Sequence, residues 1–375
     1  MAIEIILVKT KKELDQFIDL PHEIYREDPY YVPMMYMEQE ALLNKKKSPF
    51  FEHSIADYFL AKKNGRLVGR IAAIKNNNHI KFTGKNEGFF GFFDTIHDYE
   101  VAAVLLDKAS AWISHQGMNK MIGPANFSTN ETVGSLIDNF EESPFIMNTY
   151  NFSYYNDFYE KYGLRKSIDL LCYELIPEEI EEKWIPFGRE LEARLNARGY
   201  SFRKVNMKKF KAELDLFLPI YNQSWVANTG FVPMTAREVN QIAKDLKPIV
   251  DPDFIYFAEK DGKPVGVSIT IPNLNEIQKN IKKGRLLPTG LFKILFGLKK
   301  IKTVRVLALG TLQEYRKLGI DVCFYVRNIL TAKEKGIKRA EASWILENNA
   351  PMNNALLHIG GKVYRKYRIF EKDLS

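Results

Sequence analysis

The sequence repeats itself, and the repeat limits the fold more than any other feature. Residues 61–74, Ala-Lys-Lys-Asn-Gly-Arg-Leu-Val-Gly-Arg-Ile-Ala-Ala-Ile, align without a gap on residues 258–271, Ala-Glu-Lys-Asp-Gly-Lys-Pro-Val-Gly-Val-Ser-Ile-Thr-Ile. Each copy reads as a β-hairpin whose turn, Asn64-Gly65 or Asp261-Gly262, accepts positive φ at both residues. The segments after the two hairpins correspond as well. Residues 88–95 and 305–312 read as strands. Val101, Leu105, Ala109 and Trp112 in one copy, and Val322, Val326, Ile329 and Leu330 in the other, then mark one face of a helix. Strands at 120–123 and 339–344 come next, and each half closes with a short helix and a final strand, around 156–174 and 351–371. Helix-rich stretches at 11–43 and 210–246, each behind a strand (4–8 and 200–205), precede the hairpins. The shared order predicts a duplicated α+β protein: two domains with mixed, mainly antiparallel sheets flanked by helices, at 1–176 and 199–375, joined by a helical connector at 177–198.

A chain of 375 residues is long enough for two such cores. The two cysteines cannot build a disulfide framework, and no apolar run approaches the roughly 20 residues that cross a bilayer. With no signal-like start, the expectation is a cytoplasmic protein, with peripheral contact at the inner membrane face. No zinc-ligand spacing, serine-triad motif or Walker loop is present, so no metal is expected.

The net charge of +8 favours an anionic partner. It is concentrated in an insertion at 275–302 of the second half. Residues 278–302 hold Lys279, Lys282, Lys283, Arg285, Lys293, Lys299, Lys300 and Lys302 and no acid, with Leu286, Leu287, Leu291, Phe292, Ile294, Leu295, Phe296, Leu298 and Ile301 among them. One reading is a basic amphipathic element on an anionic membrane. The other is a helix packed on its own domain with a solvated lysine face. Nucleic acid is not an expected partner.

In Leu309-Gly310-Thr311-Leu312-Gln313-Glu314-Tyr315-Arg316-Lys317-Leu318-Gly319-Ile320-Asp321 a strand runs through a basic, glycine-bearing loop into a helix. The unpaired amides at such a helix start, with the helix dipole, favour a phosphate group. The segment resembles the pyrophosphate loop of the GNAT superfamily of acyl-CoA-dependent N-acyltransferases, Arg/Gln-x-x-Gly-x-Gly/Ala. Arg316 and Gly319 match, and Asp321 replaces the last small residue. The resemblance implies that Leu309, Gly310 and Thr311 pair with the pantetheine arm of acyl-CoA or acetyl-CoA. It also implies that Arg316, Lys317, Leu318, Gly319, Ile320 and Asp321 hold the phosphates.

Residues 344–349 lead into a helix and Gly360-Gly361, which resembles the second GNAT signature. Asn349 fits its asparagine as a further cofactor contact, and Leu356 stands where a tyrosine is expected. The first half reverses the pattern. Phe158-Tyr159-Glu160-Lys161-Tyr162-Gly163-Leu164 keeps that tyrosine as Tyr159, whereas residues 93–100 carry three acids and no basic glycine loop. The first domain is therefore expected not to bind CoA.

Over the whole length the chain is similar to bacterial tandem GNAT-like proteins, a family that includes bacterial ceramide synthases. That similarity rests on Ser48-Pro49-Phe50-Phe51-Glu52-His53, residues 69–73 and 88–93, Gly123-Pro124-Ala125-Asn126-Phe127-Ser128 and residues 364–370. It implies transfer of an acyl group from acyl-CoA to an amine, with a long-chain sphingoid-type amine as the acceptor. The reaction needs a neutral amine, a held oxyanion and a proton for the leaving thiolate. Glu347 is the expected base, with Glu341 as runner-up, and Tyr364 or Tyr159 returns a proton. Asn126, Ser128, Asn130, Tyr150 and Tyr154 are the expected acceptor-binding residues. Two alternatives stand beside this reading: an aminoacyl-tRNA-dependent transferase of the same fold, and a non-catalytic lipid- or protein-binding scaffold.

Overall fold

The structure is a computed structural model that describes residues 2–374 apart from Thr129. The first half runs β1 (Ile3–Leu7), α1 (Lys11–Ile24), α2 (Tyr36–Leu43), β2 (Ile55–Lys63), β3 (Arg66–Lys75), α3 (Asn77–Thr83), β4 (Glu87–Thr95), α4 (Tyr99–His115), β5 (Lys120–Gly123), β6 (Ser135–Leu136), α5 (Tyr154–Lys161) and β7 (Arg165–Leu175). The second runs α6 (Trp184–Asn196), β8 (Tyr200–Lys204), α7 (Phe210–Ser224), α8 (Ala236–Leu246), β9 (Ile255–Lys260), β10 (Lys263–Pro272), α9 (Asn275–Gln278), α10 (Leu291–Gly297), β11 (Thr303–Thr311), α11 (Ile320–Glu334), β12 (Arg339–Leu346), α12 (Ala350–His358) and β13 (Lys362–Asp373). Both hairpin turns take the positive φ values their residues allow, 52° and 76° at Asn64 and Gly65, 48° and 76° at Asp261 and Gly262.

Two compact units form, and they cross the linear boundaries read from the sequence. Unit 1 comprises residues 1–170, 275–295 and 365–375; unit 2 comprises 171–274 and 296–364. The repeat pattern gives each half its own closing strand, but the structure exchanges them. Residues 370–373 of β13 pair antiparallel with β5, from Phe370 opposite Gly123 to Asp373 opposite Lys120. Residues 171–175 of β7 lie beside β12 in unit 2. Duplicated halves present equivalent strand edges, so local pattern cannot say which half a closing strand will join.

In unit 1 the order is β1-β2-β3-β4-β5-β13. Every residue of β4 is buried, as expected of a strand covered on both faces. Phe59, Ile71, Phe90, Leu105, Tyr159 and Phe370 share one core. Helix α1 starts at a reciprocal capping box between Thr10 and Glu13. Inside the core, Arg70 meets Asp94 at 2.8 Å with both side chains almost inaccessible, and Tyr25 donates to the same carboxylate at 2.8 Å.

The basic insertion belongs partly to this unit. Lys283 pairs with Glu23 at 2.9 Å and Arg285 with Asp19 at 2.7 Å, while Asn275 and Gln278 donate to the carbonyls of Pro144 and Pro33.

In unit 2 the order is β8-β9-β10-β11-β12-β7. Alternation along β9 separates its two faces: Phe257 packs with Ile220 of α7, and Tyr256 and Ala258 pack with Leu195 of α6 and Phe324 of α11. The connector is therefore part of this unit's helical layer. A Cβ on Gly188 would lie 2.4 Å from Val326, and Glu192 meets Arg327 at 2.5 Å.

Candidate active site

The site begins where two parallel strands part. β11 and β12 pair from Thr303 opposite Arg339 to Val306 opposite Ala342. Beyond that point β11 continues to Thr311 and β12 to Leu346 with no mutual pairing among the described residues. A bulge sits at the same place: Ile269 of β10 faces Ala308 and Thr270 faces Val306, leaving Leu307 as the extra residue. Bulges bend a strand and re-aim its groups. This one leaves a cleft with an unpaired β11 edge through Leu309, Gly310 and Thr311, the three residues expected to meet pantetheine.

The loop after β11 ends in an open helix start. Lys317 and Gly319 hold positive φ, 63° and 87°, and Gly319 caps α11 with no side-chain hydrogen bond to its first turn. The first-turn amides of a helix have no intrahelical partners, so they remain available to an anion. Gly319 is required twice over, because a Cβ there would also lie 2.5 Å from Leu191 of α6. Arg316 braces the loop, donating to the carbonyls of Ser224 at 2.7 Å and Thr311 at 3.4 Å. Asp321 stands in the first turn of α11 and Asn349 is the N-cap of α12, accepting from the Met352 amide at 3.3 Å. The open amides, the glycine cradle and the free strand edge fit a CoA moiety.

The two sides of the cleft differ in chemistry. Arg305, Glu341 and Ser343 alternate with the apolar residues of β11 and β12 and share one face. Glu341 is fully buried. The hydroxyl of Tyr364 donates to its Oε2, Ser343 Oγ donates to its Oε1 at 2.5 Å, and Arg305 Nε lies 3.8 Å from Oε1. Arg305 also donates to the Ser343 carbonyl at 3.2 Å and lies over the Trp344 ring at 4.8 Å.

On the other face an apolar cavity of about 120 Å³ extends from the cleft under α11 and α12. Val304, Val306, Ala340 and Ala342 form its sheet side, and Tyr325, Ile329, Ala332 and Leu356 its helix side. Leu356, in the position of the expected tyrosine, is 2% exposed and part of this wall.

Several expected residues are placed elsewhere. Glu347 is exposed, one residue past the end of β12, and its carbonyl accepts from Asn353 at 3.2 Å. Tyr159, expected to return a proton, does not stand at the site: it is 1% exposed, packed against Phe90, Phe93 and Phe370 in the unit 1 core, and burial holds its hydroxyl well above the usual range. A group so placed is a packing residue and not a proton donor to substrate.

The proposed acceptor-binding side chains also lie in unit 1 and serve its loops. Asn126 accepts from the Phe92 amide at 2.7 Å and donates to Thr132 at 2.6 Å; Ser128 accepts from the Asn130 amide at 3.2 Å. Tyr150 donates to Asp28 and Tyr154 to the Thr95 carbonyl. Inner loops need such partners for their backbone groups. Arg305 and Ser343 were missed: neither forms part of a sequence motif, and only the register shows that they converge on Glu341.

Unit 1 keeps the bulge and the parting strands but fills the cleft itself. Pairing of β4 with β5 ends at Phe89 opposite Ile122, and β3 slips register between Arg70 and Ala72. Beyond, the Ala125 amide donates to the Phe90 carbonyl at 2.8 Å, and a Cβ on Gly91 would lie 2.1 Å from the Ala125 oxygen. Helix α4 is closed as well, since Asp98 caps it and pairs with Lys63 at 2.7 Å. Among the described residues, no group of three or more potential ligands could hold a metal.

Fold and site together define a tandem GNAT-type N-acyltransferase. Solved structures agree on the fold. A tandem GNAT protein from the clavulanic acid biosynthesis pathway superposes with a TM-score of 0.58 over 100% of this chain and 99% of that one at 10% identity. The glucosamine N-acetyltransferase region of a fungal multi-domain beta-N-acetylglucosaminidase gives 0.58 at 14% identity, over 99% of this chain and 38% of that one. No protein-family profile matches. The chain belongs to the family of the bacterial ceramide synthase of Caulobacter vibrioides, to which it is 33% identical over 99% of its own length and 98% of the relative's. Protein YghO of Escherichia coli is 34% identical, over 98% of this chain and 95% of its own.

Proposed function

We propose that this protein transfers an acyl group from acyl-CoA to the amine of a long-chain, sphingoid-type lipid. The observation that carries the reading is the cleft between β11 and β12, with its free strand edge, open helix start, and a buried carboxylate bonded to a tyrosine on one face. The full-length similarity to a bacterial ceramide synthase supports the lipid amine.

In this reading the first-turn amides of α11 hold phosphate and the β11 edge aligns the thioester at the Leu307 bulge. The amine attacks from the side of Tyr364. Its proton passes to the tyrosine oxygen as the tyrosine proton passes to Glu341; as the C–S bond breaks, that proton returns from Glu341 through Tyr364 to the leaving sulfur, which departs as the thiol. Arg305 keeps the buried carboxylate compensated. Glu347 is the other candidate base, and parallel glutamine variants separate the two.

The surface of the insertion supports a membrane-borne acceptor. Leu287, Phe292, Leu295 and Phe296 are 75%, 59%, 59% and 73% exposed, so apolar side chains and not only lysines face outward. That is the pattern of an element that dips into an anionic interface. No helix among the described residues is long and apolar enough to cross a membrane.

The test is to incubate the purified chain with long-chain acyl-CoA and a sphingoid-type base, following thiol release and the mass of the amide. Both are expected together. Absence of thiol release with every acyl-CoA and amine overturns the reading.

A further inference from the structure

We propose that the donor's acyl chain is threaded into the cavity beneath α11 and α12, and that Phe254, Ala332 and Val304 at its far end set the longest chain accepted. The inference rests on the acyl-CoA reading above and adds the part of the molecule that selects the donor.

The cavity has the shape and chemistry for it. Its lining runs from Leu309, at the cleft, to Val304 at the start of β11, about 17 Å apart at the rise of a strand. Helix α11 runs back along it, so Tyr325 lies near the mouth and Ala332 near the end. Its lining is mostly apolar: among the described residues no charged side chain lines it, and of its polar members Thr270 donates to Asn328 at 3.0 Å, which in turn donates to Ser268 at 2.9 Å. Packed cores seldom leave so large an apolar space, because empty volume destabilises them.

Small residues keep the space open. Ala308, Ala332, Ala340 and Ala342 line it from strand and helix alike. At the far end Phe254 packs with Val304 and Ala332 in one cluster and is 1% exposed, which makes a floor. Leu356 belongs here too: a tyrosine at that place would put a hydroxyl into the wall that an alkyl chain has to pass.

The two faces of the cleft thus divide the reaction. The alkyl chain leaves the sheet on the α11 face, while the amine and the Tyr364–Glu341 pair meet the carbonyl carbon from the opposite face.

The experiment titrates CoA and saturated acyl-CoAs of increasing even chain length into the full-length wild type, Ala332→Phe and Phe254→Ala, with circular dichroism as the folding control. For the wild type, affinity is expected to rise by up to about fourfold per methylene until the chain reaches the floor, and then to level off. Ala332→Phe levels off at a shorter chain and Phe254→Ala at a longer one, while CoA itself binds all three alike. Should Ala332→Phe fail to fold, Ala332→Val replaces it with the same direction of shift. An unchanged levelling point in folded variants, or no dependence on chain length in a wild type that binds CoA and transfers acyl groups, overturns the cavity assignment and leaves the transferase reading intact. A wild type that binds neither CoA nor any thioester overturns both.

Discussion

The hydroxyl of Tyr364, on β13, donates to the carboxylate of Glu341, on β12, and the same carboxylate takes a second hydrogen bond from Ser343. A tyrosine that leans on a buried, doubly bonded carboxylate can pass a proton inward without leaving its place. Tyr364→Phe and Glu341→Gln should each lower kcat by roughly 10²- to 10⁴-fold, with little effect on donor KM. Because the two act as a unit, the double variant should be scarcely worse than either single one. Glu347→Gln, assayed alongside by thiol release, should stay near wild type; a large loss there with Glu341→Gln active reverses the assignment.

Gly319→Ala tests the loop. The substitution forces a side chain into φ +87° and against Leu191, at a cost of about 1–3 kcal/mol for the backbone alone. Calorimetric titration should show CoA affinity falling at least tenfold in protein that is still folded.

The exposed insertion predicts a lipid phenotype that is separable from chemistry. Phe292→Asp with Leu295→Asp should abolish cosedimentation with anionic vesicles and leave thiol release with a short, water-soluble donor and amine unchanged. Binding of the wild type should weaken with salt, since lysines supply part of the attraction.

Arg70 and Asp94 form a buried pair, both within a tenth of full burial, and Asp94 is pushed upward first by burial, against which Arg70 works. Arg70→Met strands the carboxylate and should cost about 3–5 kcal/mol in urea unfolding. Arg70→Met with Asp94→Leu should recover most of it.

His22 predicts a pH window. Burial, with Arg70, Lys283 and Arg285 nearby, lowers its pKa to about 4 from an ordinary value of about 6.5. The unfolded chain therefore binds a proton that the folded one refuses between those limits. Stability should fall as pH drops from about 6.5 to about 4, by roughly 3 kcal/mol in all. In His22→Gln the thermal midpoint should be flatter over that window.

Locally encoded features were legible. The Asn64-Gly65 and Asp261-Gly262 turns, the helix after each hairpin and the loop through Gly319 depend on neighbours within a few residues, and all stand where the sequence placed them. Glu341 ranked second because one glutamate in a strand carries no signature; its weight comes from Arg305 across the ladder and Tyr364 beyond it. Tyr159 shows the converse. It matched a motif, but in unit 1 Ala125 fills the cleft that would give the tyrosine a substrate, and the ring became core. Asn126, Tyr150 and Tyr154 read as a polar patch for the same reason that they brace loops: both tasks call for side chains with hydrogen-bond donors and acceptors.

The borrowed strand has a consequence for how the protein is made. Residues 120–123 emerge from the ribosome some 250 residues before the segment 370–373 that will cover their edge. Through that interval β5 waits with bare amides and carbonyls, an invitation to the wrong neighbour. A chain cut after residue 364 never closes that edge, so the first copy of the repeat cannot be cut free of the second and keep its sheet whole.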